Sequence, residues 1–370
     1  MATVFGPKRS LLGNIYAGGD FTDYNSTGFQ YFTKLDSSGN LYSNPPYSAT
    51  SFDGYVRSIV SYTSRRILIG GDFTTYNGDS RKYLISIDFE GNIDNLFRVY
   101  DYINGSDVRA IGVDKYDRVI IGGNITNYNG TYFVGNIMRL NLDGSYDTSF
   151  YTDTGFDKTV YAIAVQSDGK ILVGGEFLNF SGDTSYTYLV RLNEDGSIDT
   201  TFTKSTKINN IVSSIAVDEY DGTIIVGGDF ADGSNYNYLI RLRDDGGEIS
   251  GFQNGLSDSV NVVKLDSKRR VLVGGKFDTT FGGGGVKKII RYNSNNTIDY
   301  DFFTKGGFDN TVVSIDTDVN DDVYVGGAFT TYDNGSTSSP GLIKLNGTNA
   351  ITSQTFNYTG SVLSVLVSNQ

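Results

Sequence analysis

Residues Val160–Phe202 read VYAIAVQSDGKILVGGEFLNFSGDTSYTYLVRLNEDGSIDTTF, and this stretch decides the fold. VYAIAV is a short strand rich in β-formers. QSDGK is a tight turn in which Gly169 takes positive φ at no steric cost. KILVGGEF is a second strand, and its unbroken apolar run implies burial on both faces. TYLVRLN alternates and reads as a third strand, closed by the turn EDG. SIDTTF reads as a short fourth strand. No helix-period pattern with caps appears anywhere in the chain.

The stretch is one copy of a repeat. Its Gly174 pair has counterparts beginning at Gly18, Gly70, Gly122, Gly227, Gly274 and Gly326, with steps of 52, 52, 52, 53, 47 and 52 residues. Seven units of 52 account for 364 of the 370 residues, so the chain is an array of one supersecondary unit. Four short antiparallel strands per unit, each sheet sandwiched between neighbours, describe a propeller blade. A β-solenoid is the alternative, but its coils run shorter and need end caps.

A second motif, V-x-x-I-x-V in its fullest form, begins at Val56, Val108, Val160, Val212, Val260, Val312 and Val362. The Gly18 hairpin has no such strand before it, and the strand at Val362 has no Gly-Gly strand after it. In an open array both would be orphan edges. In a ring they pair. The expected fold is therefore all-β, a seven-bladed β-propeller of four-stranded antiparallel blades. The C-terminal strand pairs with the N-terminal hairpin to close it. Residues 1–12 are a surplus N-terminal extension, and 13–370 form one domain.

Composition narrows the chemistry. Cysteine, histidine and tryptophan are absent. That excludes disulfides and thiolate metal sites, and it removes the commonest general base and neutral metal ligand. The net charge of −12 argues against a nucleic-acid partner, because phosphate binding needs a basic face. No run of about 18 apolar residues exists, so no membrane span is expected. The N-terminus, MATVFGPKRSLLGNIYAGG, lacks the apolar core of a signal peptide, and ordinary secretion is not expected.

The Gly-Gly pairs read as bulges or close backbone approaches; a phosphate cradle needs a following helix, and none follows. The aromatics Phe21, Phe73, Phe177, Phe230, Phe277 and Phe329, with Ile125 as the exception, read as packing between strands. Asp20, Asp72, Glu176 and Asp229 follow the pair, but Asn124, Lys276 and Ala328 hold the same position, so no uniform acidic metal ring is implied. The turns LDSSGN (Leu35–Asn40), IDFEGN (Ile87–Asn92), LNLDGS (Leu140–Ser145) and LNEDGS (Leu192–Ser197) lack full calcium-loop spacing and read as hairpin chemistry. No catalytic, cofactor or metal residue is singled out. A glycosidase needs only two facing carboxylates, and nothing marks such a pair.

The loops between second and third strands are long and rich in Tyr, Asn, Thr and Gly. Candidate binding residues there are Tyr24, Asn25, Tyr76, Asn77, Tyr128, Asn129, Phe180 and Tyr332. Such residues suit carbohydrate or protein contact by stacking and hydrogen bonding. The competing reading is turn chemistry with the ring packed on its own blade.

DGKILVGGEF followed by YLVRLNEDGSIDTTF resembles the delta-60 repeat, a β-propeller repeat family of bacterial surface or secreted proteins and of phage structural proteins. The resemblance is strongest over Asp168–Phe202, clear over Ile67–Phe97, Val119–Phe150 and Ile224–Phe252, and weaker in the remaining units. It implies no catalytic residues and no cofactor. The expectation is a non-enzymatic bacteriophage virion component, on tail or head, serving assembly or host attachment. Its partners would be other virion proteins or a host-surface glycan or protein. The alternatives are a bacterial surface or extracellular binding propeller and, third, a glycan-cleaving enzyme.

Overall fold

The computed structural model describes residues 13–42, 51–63, 65–99, 102–231, 233, 237–249, 255–279, 286–302, 306–348 and 352–368. The expected extension, 1–12, lies outside them. Among the described residues the fold is all-β, with one short 3-10 turn at Tyr300–Phe302 and no α-helix. It consists of seven antiparallel sheets of three or four strands and three two-stranded ribbons.

The second strands form the middle of each sheet: Ile15–Gly19, Arg66–Gly71, Val119–Tyr128, Ile171–Gly175, Ile224–Gly228, Val271–Thr279 and Val323–Gly327. We number the sheets one to seven in that order. First strands pair on one side and third strands on the other, as Val160–Val165 and Leu189–Leu192 do in sheet four. In sheet one the first strand is Val362–Val367, which pairs with Ile15–Gly19 from Ile15↔Val367 to Gly19↔Val362. The first strands also lie against one another in sequence order. Val362–Val367 touches both Val312–Thr317 of sheet seven and Val56–Tyr62 of sheet two.

The core lies between sheets, because the second strands are buried on both faces up to and including their glycine pairs. Ile120 and Ile137 of sheet three share one cluster with Val160, Val173 and Val190 of sheet four. Ile15 and Ala17 of sheet one share another with Tyr324 and Leu342 of sheet seven. Each valine, leucine or isoleucine among them contributes roughly 1.5–3 kcal/mol by leaving water.

The two glycines have different tasks. A Cβ on Gly174 would overlap Val212 Cγ1, from the first strand of the next sheet. The same collision recurs from Gly18 against Val56 through Gly274 against Val312, and Gly326 faces Val362. A Cβ on Gly175 would instead strike the Thr159 carbonyl of its own sheet. There the ladder slips by one residue, from Val160↔Gly175 to Ala162↔Gly174, which is a β-bulge. Tyr188 completes it with φ near 62°: its N–H donates to the Phe177 carbonyl at 3.0 Å and its carbonyl accepts from Gly175 at 3.0 Å. Tyr31, Tyr83, Asn136 and Tyr238 repeat this left-handed position.

The fourth strand departs from expectation. SIDTTF makes one isolated bridge, Leu192↔Ile198, and then turns. Asp199 is the reason. Its Oδ1 accepts from Thr201 N at 3.0 Å and Thr201 Oγ1 at 2.6 Å, and this local turn competes with the ladder. Asp147 does the same with Ser149. Among the described residues only the last sheet extends to a fourth strand at this position, Thr352–Thr355, while sheet three gains its fourth from Tyr132–Phe133.

Those aspartates also anchor a second device. Arg139, Arg191 and Arg291, all buried, pair with Asp147, Asp199 and Asp299 at 2.7, 2.7 and 2.8 Å. Each guanidinium lies over a phenylalanine, Phe150, Phe202 or Phe302, and donates to a backbone carbonyl of the next sheet's hairpin: Glu194, Asp244 or Gly347. Lys34 reaches the Phe89 carbonyl in the same way. The repeated basic residue of the third strand is therefore a staple between neighbouring sheets.

Candidate functional site

The strand registers put three strand ends together at one end of every sheet. In sheet four, Val160, Gly175 and Leu189 meet there, so the incoming connection and the loop between second and third strands emerge together. The candidate loop aromatics sit at this end, and their rings are buried. Tyr76 packs at a tilt against Phe52, which also contacts Phe73, with centroids 4.9 and 4.6 Å apart. Phe180 with Phe156 and Phe177, Tyr332 with Phe308 and Phe329, and Tyr24 with Tyr358 and Phe21 repeat that trio. Tyr128 pairs with Tyr102 at 5.5 Å, where Ile125 replaces the third ring.

The hydroxyls point inward as well. Tyr24, Tyr76 and Tyr128 donate to the Gly39, Gly91 and Gly144 carbonyls at 2.8, 2.8 and 3.0 Å. Burial pushes Tyr24 up to about 12 and Tyr128 to about 12. Asn25, Asn77 and Asn129 take φ near 50°, the left-handed turn position that asparagine tolerates. The five rings are buried beneath the loops, whereas Asn25, Asn77 and Asn129 stand exposed at the turns.

The carboxylates are largely engaged by their own backbone. Asp20 accepts from Ser361 N at 2.6 Å and Asp72 from Tyr55 N at 2.5 Å, so the position after Gly-Gly caps the start of a first strand. Asp36 and Asp88 accept from Asn40 and Asn92 within their turns. No group of three or more acidic residues among the described ones is placed to hold a metal ion.

Two places remain. The first is where the first strands begin. Their second residues are Arg57, Arg109, Tyr161, Ser213, Asn261, Val313 and Leu363, so the chemistry passes from cationic to apolar around the array. Arg57 pairs with Asp72 at 3.0 Å and lies 3.3 Å from Asp107, which Arg109 meets at 2.7 Å. Arg109 lies 5.1 Å from the Tyr161 ring, and Arg57 5.6 Å from the Tyr55 ring. Every cation on this arc has a carboxylate partner, so it is a closed network.

The second is a cleft of roughly 590 Å³ beside sheet four, between its second-to-third-strand loop and the connection to sheet five. Ser185–Arg191 form one wall, and Phe202–Lys204 with Thr206, Ile208 and Asn209 form the other. Lys204 Nζ donates to Thr187 Oγ1 at 2.8 Å and to the Ile208 carbonyl at 3.0 Å. Burial pushes its ammonium down to about 8. Its charge lies 5.5 Å from the Tyr188 ring.

Comparison with known proteins now bears on the fold. Five segments, residues 64–97, 117–150, 166–202, 221–246 and 269–302, match the family model described as a domain of unknown function (DUF5122) beta-propeller. The crystal structure of the WD40 beta propeller domain of Doa1 superposes with a TM-score of 0.50 at 13% identity, covering 95% of this chain and 93% of that one. The chain is a β-propeller repeat protein. No curated protein matches its sequence. At that identity the likeness to the Doa1 domain speaks for fold alone.

In this propeller, the cleft differs from the candidate loop residues in that a lysine, Lys204, lines it. No sequence signal marks Lys204. It stands in a connection outside the repeat motif, and its partner Thr187 lies 17 positions earlier in a loop. Arg139, Arg191 and Arg291 did carry a signal: an aspartate eight residues later and an aromatic eleven residues later, in three units.

Proposed function

We propose that the chain is a closed seven-bladed propeller of the delta-60 type and acts as a non-enzymatic binding component of a bacteriophage virion, on tail or head, in host attachment. One observation carries this reading. The frame repeats its glycine contacts, aromatic trios and arginine staples, while the loops gathered at one end of the sheets differ in length and sequence. A constant frame with varied loops is how rigid scaffolds present binding surfaces. Closure is supported by the strand Val362–Val367, which pairs with Ile15–Gly19 and touches the first strands of sheets two and seven.

Mass spectrometry of purified virions tests the proposal. Peptides of this chain are expected at the abundance of a structural protein. Their absence from virions, with the chain found on a bacterial surface instead, contradicts it and favours a bacterial binding propeller.

A further inference from the structure

We propose that the cleft beside sheet four binds an acidic sugar, with the Lys204 ammonium receiving the sugar carboxylate. The proposal rests on the attachment reading for its biological role, though its physical basis is separate. Three observations converge on it.

The first is charge. Lys204 has no carboxylate within ion-pair distance among the described residues, although acidic groups outnumber basic ones by 42 to 30 in the chain. The cleft holds two cations, Arg191 and Lys204, against one carboxylate, Asp199. Arg191 is already engaged, by Asp199 and by Asp244, both at 2.7 Å. The unmatched charge is therefore on Lys204. A partly desolvated cation without a counter-ion is costly to keep, and an anion entering the cleft removes that cost.

The second is donor capacity. An ammonium has three protons, and Lys204 uses two of them, on Thr187 and Ile208. Both bonds hold Nζ in place, so the third donor is pre-positioned for a carboxylate oxygen.

The third is the lining. The volume is that of a small-molecule site and exceeds what an inorganic anion needs. Tyr186 and Tyr188 supply aromatic surface, and Ser185 and Thr206 supply hydroxyl groups, while the Asn209 amide is held by the Ala231 backbone. Rings for the apolar face of a pyranose, hydroxyls for its own and one cation for its carboxylate make up the recognition chemistry of an acidic sugar.

The test is titration of the full chain with D-glucuronate, D-glucose and inorganic phosphate, followed by NMR. Glucuronate is expected to bind saturably, at least tenfold tighter than glucose, and phosphate is expected not to displace it at equal concentration. Lys204→Met is expected to remove that tenfold preference. Equal binding of glucuronate and glucose overturns the proposal. So does displacement by phosphate at equal concentration, which would mark a generic anion site. Should the Met variant not fold, the wild-type ranking decides. Thr206→Ala then serves as the second variant, expected to weaken both sugars without altering their ratio. The preference would survive a failure to find the chain in virions, and its absence would leave the virion result intact, so the two failures are distinguishable.

Discussion

Asn14 and Ser368, 354 positions apart, share three hydrogen bonds. Asn14 N donates to Ser368 Oγ at 2.7 Å, Ser368 N to the Asn14 carbonyl at 2.8 Å, and Ser368 Oγ to that same carbonyl at 3.0 Å. The ladder continues inward through Ile15↔Val367 and Tyr16↔Leu366. The ends of the described chain thus lie in one sheet. Joining such distant segments is not prohibitive, because the entropic cost of closing a loop rises by only about 0.6 kcal/mol per doubling of its length.

The contact between Gly174 and Val212 predicts a coupled pair. Gly174→Ala forces a Cβ into Val212 Cγ1 and is expected to cost about 1–3 kcal/mol of stability. Val212→Ala removes that methyl and leaves a small void of its own. The double variant is expected to be more stable than the sum of the two losses implies, by at least about 0.5 kcal/mol in a denaturation cycle. Strict additivity would mean that the two residues do not touch.

The staples predict an order. Arg139→Met and Arg191→Met each leave a buried carboxylate behind, a change worth about 3–5 kcal/mol when nothing compensates. Asp199 keeps Lys170 at 3.0 Å, whereas Asp147 keeps only Arg118 at 3.8 Å. Arg139→Met is therefore expected to be the more damaging of the two in urea unfolding. The reverse order would show that the carboxylates are not what the arginines satisfy.

The sequence carried the parts of this fold that depend on local chemistry. Gly169 in its turn, the β-branched run at Val160 and the spacing of Gly174 from its counterparts all report on nearest neighbours. The strand SIDTTF misleads, because Ile198 and Thr201 favour extension while the Asp199 side chain bends the backbone. Tyr76 reads two ways, because tyrosine serves ligand contact and turn packing equally well, and the packing of its ring against Phe52 is visible only in the fold. Lys204 is illegible, since its desolvation comes from residues that the fold brings to it.

Acid should unfold the protein through its aspartates. Burial alone raises Asp199, yet hydrogen bonds from Thr201, Lys170 and Arg191 outweigh it and hold the carboxyl well below the usual range. Asp53 and Asp309 are likewise lowered: burial raises them, and hydrogen bonds from Thr74 and Thr330 prevail. Groups lowered in the folded state contribute stability that is full above the unfolded value of 3.8 and is lost as pH falls through the folded ones. The melting temperature is expected to fall steeply below about pH 4. In Asp199→Asn the drop should be shallower, from a lower starting stability.

Lys204 predicts a second rise of stability with pH, in the alkaline range. Its folded value of about 8 lies below the ordinary 10.5, so between these values the unfolded chain holds the proton more often. Stability from this group therefore rises with pH across that window. Chemical denaturation at pH 7.5 and 9.5 is expected to show the wild type gaining stability relative to Lys204→Met. A pH-independent difference between the two would place the ammonium in water.

Closure is tested most directly by calorimetry of the chain lacking residues 361–370, beside the full chain. Removing Val362–Val367 exposes Ile15–Gly19 and takes away the contacts that first strand makes with sheets two and seven. A ring predicts one cooperative transition for the full chain, and its loss or a fall of many degrees for the shortened one. An unchanged main transition, with only a small loss of enthalpy, would mean that the last strand is a frayed end and the ring is not closed.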